Sequence, residues 1–390
     1  MLSLFQSARK CLRRVLFAPL ALVAAACVPT GESGQGGGKT SGSDPVQVAL
    51  LVPGGGGSAS DQVLANNLVN AARLAVADLS GVKIDLKVYQ TGGNPAQAAA
   101  LASQAVAEGA DVILGPVFAQ EANAVGHAVK GQGINVLAFS NNTDIAGGNV
   151  FVLGPTFDNA ARRMAGYAVR QGRNRIMIVH ERNTAGEAGK AAIQRGVAAA
   201  GGTVVAVNGY EFSQQGVTSA APGIVQTARD TSASALFLTA DTAGALPLLS
   251  QLLADNGLDR NAARYLGLTR WDVPAQTLSM PGIQGGWFTL PDPNLYAQFQ
   301  SRYQGSYGAA PHPIASLAYD GIAAIGALSR QKRDLSAGSL TQNAGFVGVS
   351  GIFRLRANGS NERGLAVAEI RNNQVVVIDA APRSFSGAGL

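Results

Sequence analysis

From Val46 onward, short apolar runs alternate with alanine-rich segments of helical period, and this alternation restricts the possible folds more than any other feature. Val46 to Val52 is an apolar run that stops at Pro53 and a string of glycines, and Val63, Leu64, Leu68, Ala71, Ala72, Ala75 and Val76 then recur at helical spacing. Lys83 to Tyr89 alternates apolar and polar like a strand, and Ala96 to Ala107 is an alanine-rich helix with a C-terminal stop at Glu108-Gly109. The run Asp111 to Leu114, cut off at Gly115-Pro116, reads as a buried strand; a helix over Glu121 to Lys130 and a strand over Asn135 to Phe139 follow. The cycle restarts with helix Asn159 to Gln171. Strands are then expected at Arg175 to His180, Thr203 to Asn208, Ala235 to Leu238 and Arg264 to Leu268. Helices at Gly186 to Ala200, Ala220 to Asp230 and Ala243 to Asn256 separate them. Strands alternating with helices of this length imply parallel sheets covered on both faces, with right-handed crossovers. Two such series predict an α/β chain of two lobes.

The C-terminal third departs from the rhythm. Gly286 to Leu290 reads as a strand, with helices at Leu295 to Tyr307 and His312 to Leu328. Gly351 to Arg356 and Leu365 to Ile370 are expected to pair around Asn358-Gly359, followed by Gln374 to Ile378, as an antiparallel meander.

Residues 1–26 read as an address. Arg9, Lys10, Arg13 and Arg14 precede an uncharged apolar stretch, Val15 to Ala26, which is about half the length of a membrane-spanning helix. That stretch closes on Ala24-Ala25-Ala26-Cys27, which resembles a bacterial lipobox, although Ala24 stands where the usual Leu would be. The resemblance implies cleavage before Cys27, lipidation of its thiol and anchoring in a membrane. An ordinary signal peptide cut beside a chance cysteine is the alternative. Val28, in place of the Asp of a retention signal, favours the outer membrane's periplasmic face. The four basic residues of this leader account for most of the formal net charge of +6, leaving +2 on the body. So nearly neutral a body is poorly equipped to bind nucleic acid through its phosphates. Residues 28–45, rich in Gly, Ser, Thr and Pro, form a flexible tether. Within it Gly38-Lys39-Thr40 imitates the end of a phosphate-binding loop, but Ser33 stands where the first glycine is required and no apolar strand precedes it.

Little in the chain points to catalysis. His127, His180 and His312 are too scattered for a helical metal pair, there is no Gly-x-Ser-x-Gly elbow, and the 2 cysteines cannot build a four-cysteine metal site. No cofactor or metal is expected. The Arg330 to Arg333 cluster reads as the solvated C-terminus of a long helix.

The order of elements resembles the type I periplasmic solute-binding fold, the leucine-binding-protein branch in particular. The resemblance rests on Val48–Pro53, Ala71–Asp78, Val112–Pro116, Val136–Ser140, Ala198–Val205 and Ala318–Gly321, and it spans about residues 46–380. It implies two lobes joined by three crossings, near Pro155, Gly285 and Gly345. Lobe 1 is then 46–155 plus 286–344, lobe 2 is 156–285 plus 345–380, and 381–390 is a tail. The phrases Tyr89–Gly93, Gly115–Phe118 and Gly348–Phe353 are similar to those of the penicillin-binding protein activators, envelope lipoproteins that regulate a peptidoglycan synthase. The competing role is the substrate-binding component of an ABC importer, which hands an amino acid or related solute to a permease.

In either role the fold implies a site between the lobes, on loops at the carboxyl ends of the strands. Those loops are 53–60, 115–120, 140–144, 182–187, 239–242 and 269–272. In leucine-type binders lobe 1 hydroxyls hold an α-carboxylate, and Ser140 and Thr143 fit that role. Asp241 fits the lobe 2 acid that holds an ammonium, and Trp271 offers an aromatic platform. Ser58, Phe118, Gln120 and Asn142 complete the candidates from the same loops. All are residue types that also cap helices, build turns or pack. Two departures are visible: Ala185-Gly186 replaces the usual Tyr-Gly pair, and Asn141 replaces the Pro of a Ser-Pro stretch.

Overall fold

A computed structural model describes residues 44–385. The first half-chain runs β1 (Val46–Val52), α1 (Ala59–Asp78), β2 (Ile84–Gln90), α2 (Pro95–Ala107), β3 (Val112–Leu114), α3 (Ala119–Val129), β4 (Asn135–Ala138) and β5 (Val150–Val152). Its strands form one all-parallel sheet in the order β2-β1-β3-β4-β5. Asn94 caps α2 with its side-chain oxygen on the N–H groups of Ala96 and Gln97, and Pro95 supplies the first helical turn. Strand β3 is buried at every residue, as a central parallel strand covered on both faces must be, whereas edge strand β2 shows alternation. The three-residue β5 has no counterpart in the sequence reading, because its run is too short to carry a period.

A second series follows: α4 (Phe157–Arg170), β6 (Arg175–Glu181), α5 (Thr184–Ala199), β7 (Thr203–Tyr210), α6 (Gln214–Asp230), β8 (Ala235–Leu238), α7 (Leu246–Asp255), β9 (Arg264–Gly267) and β10 (Trp287–Leu290). Helix α6 starts six residues before the expected Ala220 because Ser213 caps it, and it continues through Pro222. The chain ends with α8 (Pro293–Tyr307), α9 (Ser316–Arg330), α10 (Ala337–Leu340), β11 (Phe346–Gly348), β12 (Gly351–Leu355), β13 (Asn361–Arg363), β14 (Ala366–Arg371) and β15 (Gln374–Asp379). The second sheet has the order β15-β14-β10-β9-β8-β6-β7, parallel from β10 to β7 and antiparallel at β14 and β15.

Each sheet is sandwiched between helices. One face of the first packs on α1, α8 and α9 through Leu50, Leu68, Phe299 and Ile322, the other on α2 and α3 through Ile113, Ala102 and Val125. The second sheet packs on α6 and α7 through Leu236, Ile224 and Leu249, and on α4 and α5 through Phe237, Met164 and Ile193. Both sheets belong to one compact unit. These are the two α/β lobes the alternation predicts.

Two expected crossings shift. Strand β10 pairs with β9 and β14 and buries Phe288 in the second core, so the chain leaves lobe 2 at Pro291–Asp292 rather than near Gly285. Strand β12 pairs with β13 through the Asn358-Gly359 turn, not with residues 365–370, and β11, β12 and β13 form a small separate sheet. Phe346, Phe353 and Leu355 of that sheet lie in the first core, while Ala366, Ala368 and Ile370 lie in the second. The final crossing is therefore at Gly364–Leu365, not Gly345. The leader, Cys27 and nearly all of the tether fall outside the described residues.

Candidate functional site

The strands of each sheet end at the same boundary, where the three crossings run. There a cavity of about 270 Å³ is lined by residues of both lobes and every crossing. Asn141 enters from the end of β4, Thr269 and Arg270 from the end of β9, Thr156 and Phe157 from the first crossing, and Leu290 and Pro291 from the second. Ile314, Ser316 and Leu317 at the start of α9, Ser350, and Arg363 with Leu365 of the third crossing close it. The walls are mainly apolar, with a few polar groups directed from different elements, which is the usual character of a small-molecule site.

Three of those polar groups have distinct roles. Arg363 donates from Nη1 to Asp320 Oδ2 at 3.0 Å and from Nε and Nη2 to the Leu153 carbonyl at 3.0 and 2.5 Å, so it is committed to structure. Arg270 forks onto Asp272, Nε to Oδ1 at 2.9 Å and Nη2 to Oδ2 at 2.5 Å, and its guanidinium lies 5.9 Å from the Tyr296 ring centre. Burial works against its charge, but Asp272 outweighs burial and holds the guanidinium protonated. Thr269 Oγ1 is buried with no hydrogen-bond partner. An unsatisfied buried hydroxyl costs about 1–3 kcal/mol. A second cavity of about 440 Å³ shares Arg270, Leu290, Pro291 and Pro313 with the first.

The lobe 2 rim carries a separate polar cluster at the end of β6. Glu181 is buried; it accepts from the Tyr210 hydroxyl at 3.2 Å and from Asn183 Nδ2 at 3.3 Å, while its N–H donates to Thr239 Oγ1 at 3.2 Å. Burial pushes its carboxyl above the usual range against those hydrogen bonds, and the charge of Asp241 adds to the effect. His180 Nδ1 stands 3.5 Å from Glu187, which also pairs with Lys190.

None of the eight residues singled out on the sequence lines the inter-lobe cavity; of the six expected loops only 140–144, through Asn141, and 269–272, through Thr269 and Arg270, reach it. Ser140 is buried and its Oγ accepts the Asn142 N–H at 3.1 Å, while Asn142 in turn caps the next turn through Asp144 N at 2.8 Å. Thr143 is exposed beside them. Ser58 caps α1 through Asp61 N at 3.3 Å, and Asp241 Oδ1 accepts the Gly244 N–H at 2.6 Å. Phe118 and Gln120 are exposed at the start of α3. Trp271 is a correction: at 0% exposure it is a packing residue, stacked on Phe288 at 6.5 Å and fitted against Gly267 and Gly286. Loops 140–144 and 269–272 were legible because strands of a doubly wound sheet end there. Phe157, Ile314, Leu317 and Leu365 were not, because an apolar residue in a crossing has the same sequence signature as one in the core.

Among the described residues no group of His, Cys, Asp and Glu is placed to hold a metal ion, and no helix is long and apolar enough to cross a membrane. A structure of a candidate branched-chain amino acid ABC transporter from Rhodospirillum rubrum is similar at a TM-score of 0.71 and 17% identity, covering 86% of this chain and 100% of that one. A substrate-binding protein of Desulfitobacterium hafniense in complex with Leu is similar at 0.63 and 18%, covering 86% and 100%. A solute-binding protein of R. palustris in complex with benzoate is similar at 0.57 and 19%, covering 87% and 97%. At these identities the likeness is one of fold. No curated protein matches the sequence. The family model described as periplasmic binding protein matches residues 45–374, the whole two-lobed body from the start of β1 to the start of β15. With two parallel sheets, three crossings and a cavity between them, the chain belongs to the periplasmic binding protein family.

Proposed function

We propose that this chain is the substrate-binding component of an ABC importer and that it takes a small solute with a polar or anionic head and an apolar body, such as an amino acid, into the inter-lobe cavity. The observation that carries this reading is the 270 Å³ cavity, lined from both lobes and all three crossings, with Asn141, Arg270 and Ser316 set among mainly apolar walls. Family membership and the Leu and benzoate complexes of structural relatives support it. The role is binding without catalysis, in the periplasm. Lipidation at Cys27, with an outer-membrane anchor, is the accompanying proposal for its location.

A second reading, an adaptor of the penicillin-binding protein activator kind that touches a peptidoglycan synthase, draws support from a different place. Two activator-like phrases distant in sequence meet on the surface of lobe 1, where the Phe118 ring packs over Gly93 and stays 38% exposed.

Calorimetry of the purified protein against L-leucine and benzoate, beside pull-down from envelope extracts, separates the two. Saturable binding that weakens about tenfold in Asn141→Ala, the equivalent of one lost hydrogen bond, is the expected result. Absence of binding together with recovery of a synthase, lost on Phe118→Ala, would reverse the order of the two readings.

A further inference from the structure

A third cavity, of about 250 Å³, shares no residue with the inter-lobe site. It is bounded by α4 and α5 of lobe 2 and by the turn joining β12 to β13, and Arg162, Arg195 and Arg356 all line it. The turn is docked on lobe 1, since the Gly359 carbonyl accepts the Val152 N–H at 2.9 Å. The cavity therefore touches both lobes beside the third crossing.

Its charges do not balance. Glu362, 2% exposed, faces three guanidinium groups: it accepts hydrogen bonds from Arg162 on Oε1 and from Arg354 on Oε2 at 2.6 Å, and its Oε2 forms an ion pair with Arg356 at 2.7 Å. One carboxylate facing three cations leaves two positive charges without a partner. Asp158 does not supply the deficit, because Arg195 already engages both its oxygens, Nε at 2.8 Å and Nη2 at 3.0 Å. Arg162 donates to Glu362 through Nη2 alone and Arg356 only approaches it with Nη2, so both keep N–H groups for another acceptor. Guanidinium groups with unfilled forks on one concave wall select an oxyanion with several acceptor oxygens.

We propose that this cavity is a second ligand site, for a small tetrahedral oxyanion of the phosphate class, held by Arg162 and Arg356 with Arg195 at its rim. A dianion there would neutralise the two excess charges and join α4 of lobe 2 to the turn fixed on lobe 1.

Titration of the purified full chain with inorganic phosphate, at ionic strength held constant with sodium chloride, tests the site. Saturable heat is expected, together with a rise in melting temperature that chloride alone does not produce. Arg356→Gln and, separately, Arg195→Gln alter side chains that are 43% and 60% exposed, so both variants should fold. Phosphate affinity should fall at least tenfold in Arg356→Gln and less in Arg195→Gln. Asn141→Ala, in the inter-lobe cavity, should leave it unchanged, which keeps this site distinguishable from the solute site. Absence of saturable heat up to 10-fold excess over the concentration expected for a millimolar site (on the order of 10 mM), or equal affinity in Arg356→Gln, would overturn the proposal.

Discussion

Trp271 follows a strand that ends at the cleft, and its position there suggested an aromatic platform. The structure turns its indole inward, where Gly267 and Gly286 leave it room that a Cβ at either position would fill. Trp271→Ala should cost about 3–5 kcal/mol of stability by opening a cavity in the second core, with unchanged solute affinity per folded molecule. Denaturant unfolding beside calorimetry checks both halves of that expectation. Glu121 is the other residue whose role only burial reveals. It is fully buried, neither carboxylate oxygen has a hydrogen-bond partner, and burial pushes its carboxyl above the ordinary value of 4.5. Folded protein therefore holds this proton more tightly than unfolded protein does. Its contribution to stability must fall as pH rises from about 4.5 through the raised folded value, and stay low above it. Glu121→Gln should remove that decline, so unfolding free energies measured from pH 4 to 8 should diverge from the parent in favour of the variant as pH rises. Parallel curves would show that the folded state ionises Glu121 without cost.

At the scale of elements, the first and third crossings are tied to each other rather than left as free linkers. Asn361 donates from Nδ2 to the Val152 and Gly154 carbonyls at 2.8 and 2.7 Å, and Asn159 of α4 donates to Asn361 Oδ1 at 2.6 Å. Beside them Arg363 bridges Asp320 of α9 and the Leu153 carbonyl, with both members of the ion pair buried. Removing one member leaves the other charge buried alone, so Arg363→Met should cost about 3–5 kcal/mol. Arg363→Met combined with Asp320→Leu should recover much of that loss. If the double variant were no better than the single one, the pair would not be the source of the cost.

For the whole molecule, a ligand can shift the balance between open and closed lobes only if it binds the two forms with different affinity. The inter-lobe cavity meets that condition because its walls come from both lobes. Small-angle scattering with saturating L-leucine or benzoate should therefore show a smaller radius of gyration than without it, once calorimetry has shown which of them binds. An unchanged radius at saturation would mean that the crossings, with their buried hydrogen bonds, hold the lobes fixed. The solute would then be read in a preformed site.

The alternation of apolar runs with helical periods was enough to specify two α/β lobes, because strand and helix periods are local properties of the chain. Of the six loops expected at the cleft, 140–144 and 269–272 contribute cavity walls, while 53–60, 115–120, 182–187 and 239–242 do not. The placement of β10 in lobe 2, the pairing of β12 with β13 and the orientation of Trp271 were not legible. Each depends on which of two cores receives an apolar side chain, and both cores accept the same residue types. The cavity walls and the arginine cluster around Glu362 join residues up to about 200 positions apart. Their chemistry exists only where the crossings bring distant segments together, and no local period in the sequence encodes that meeting.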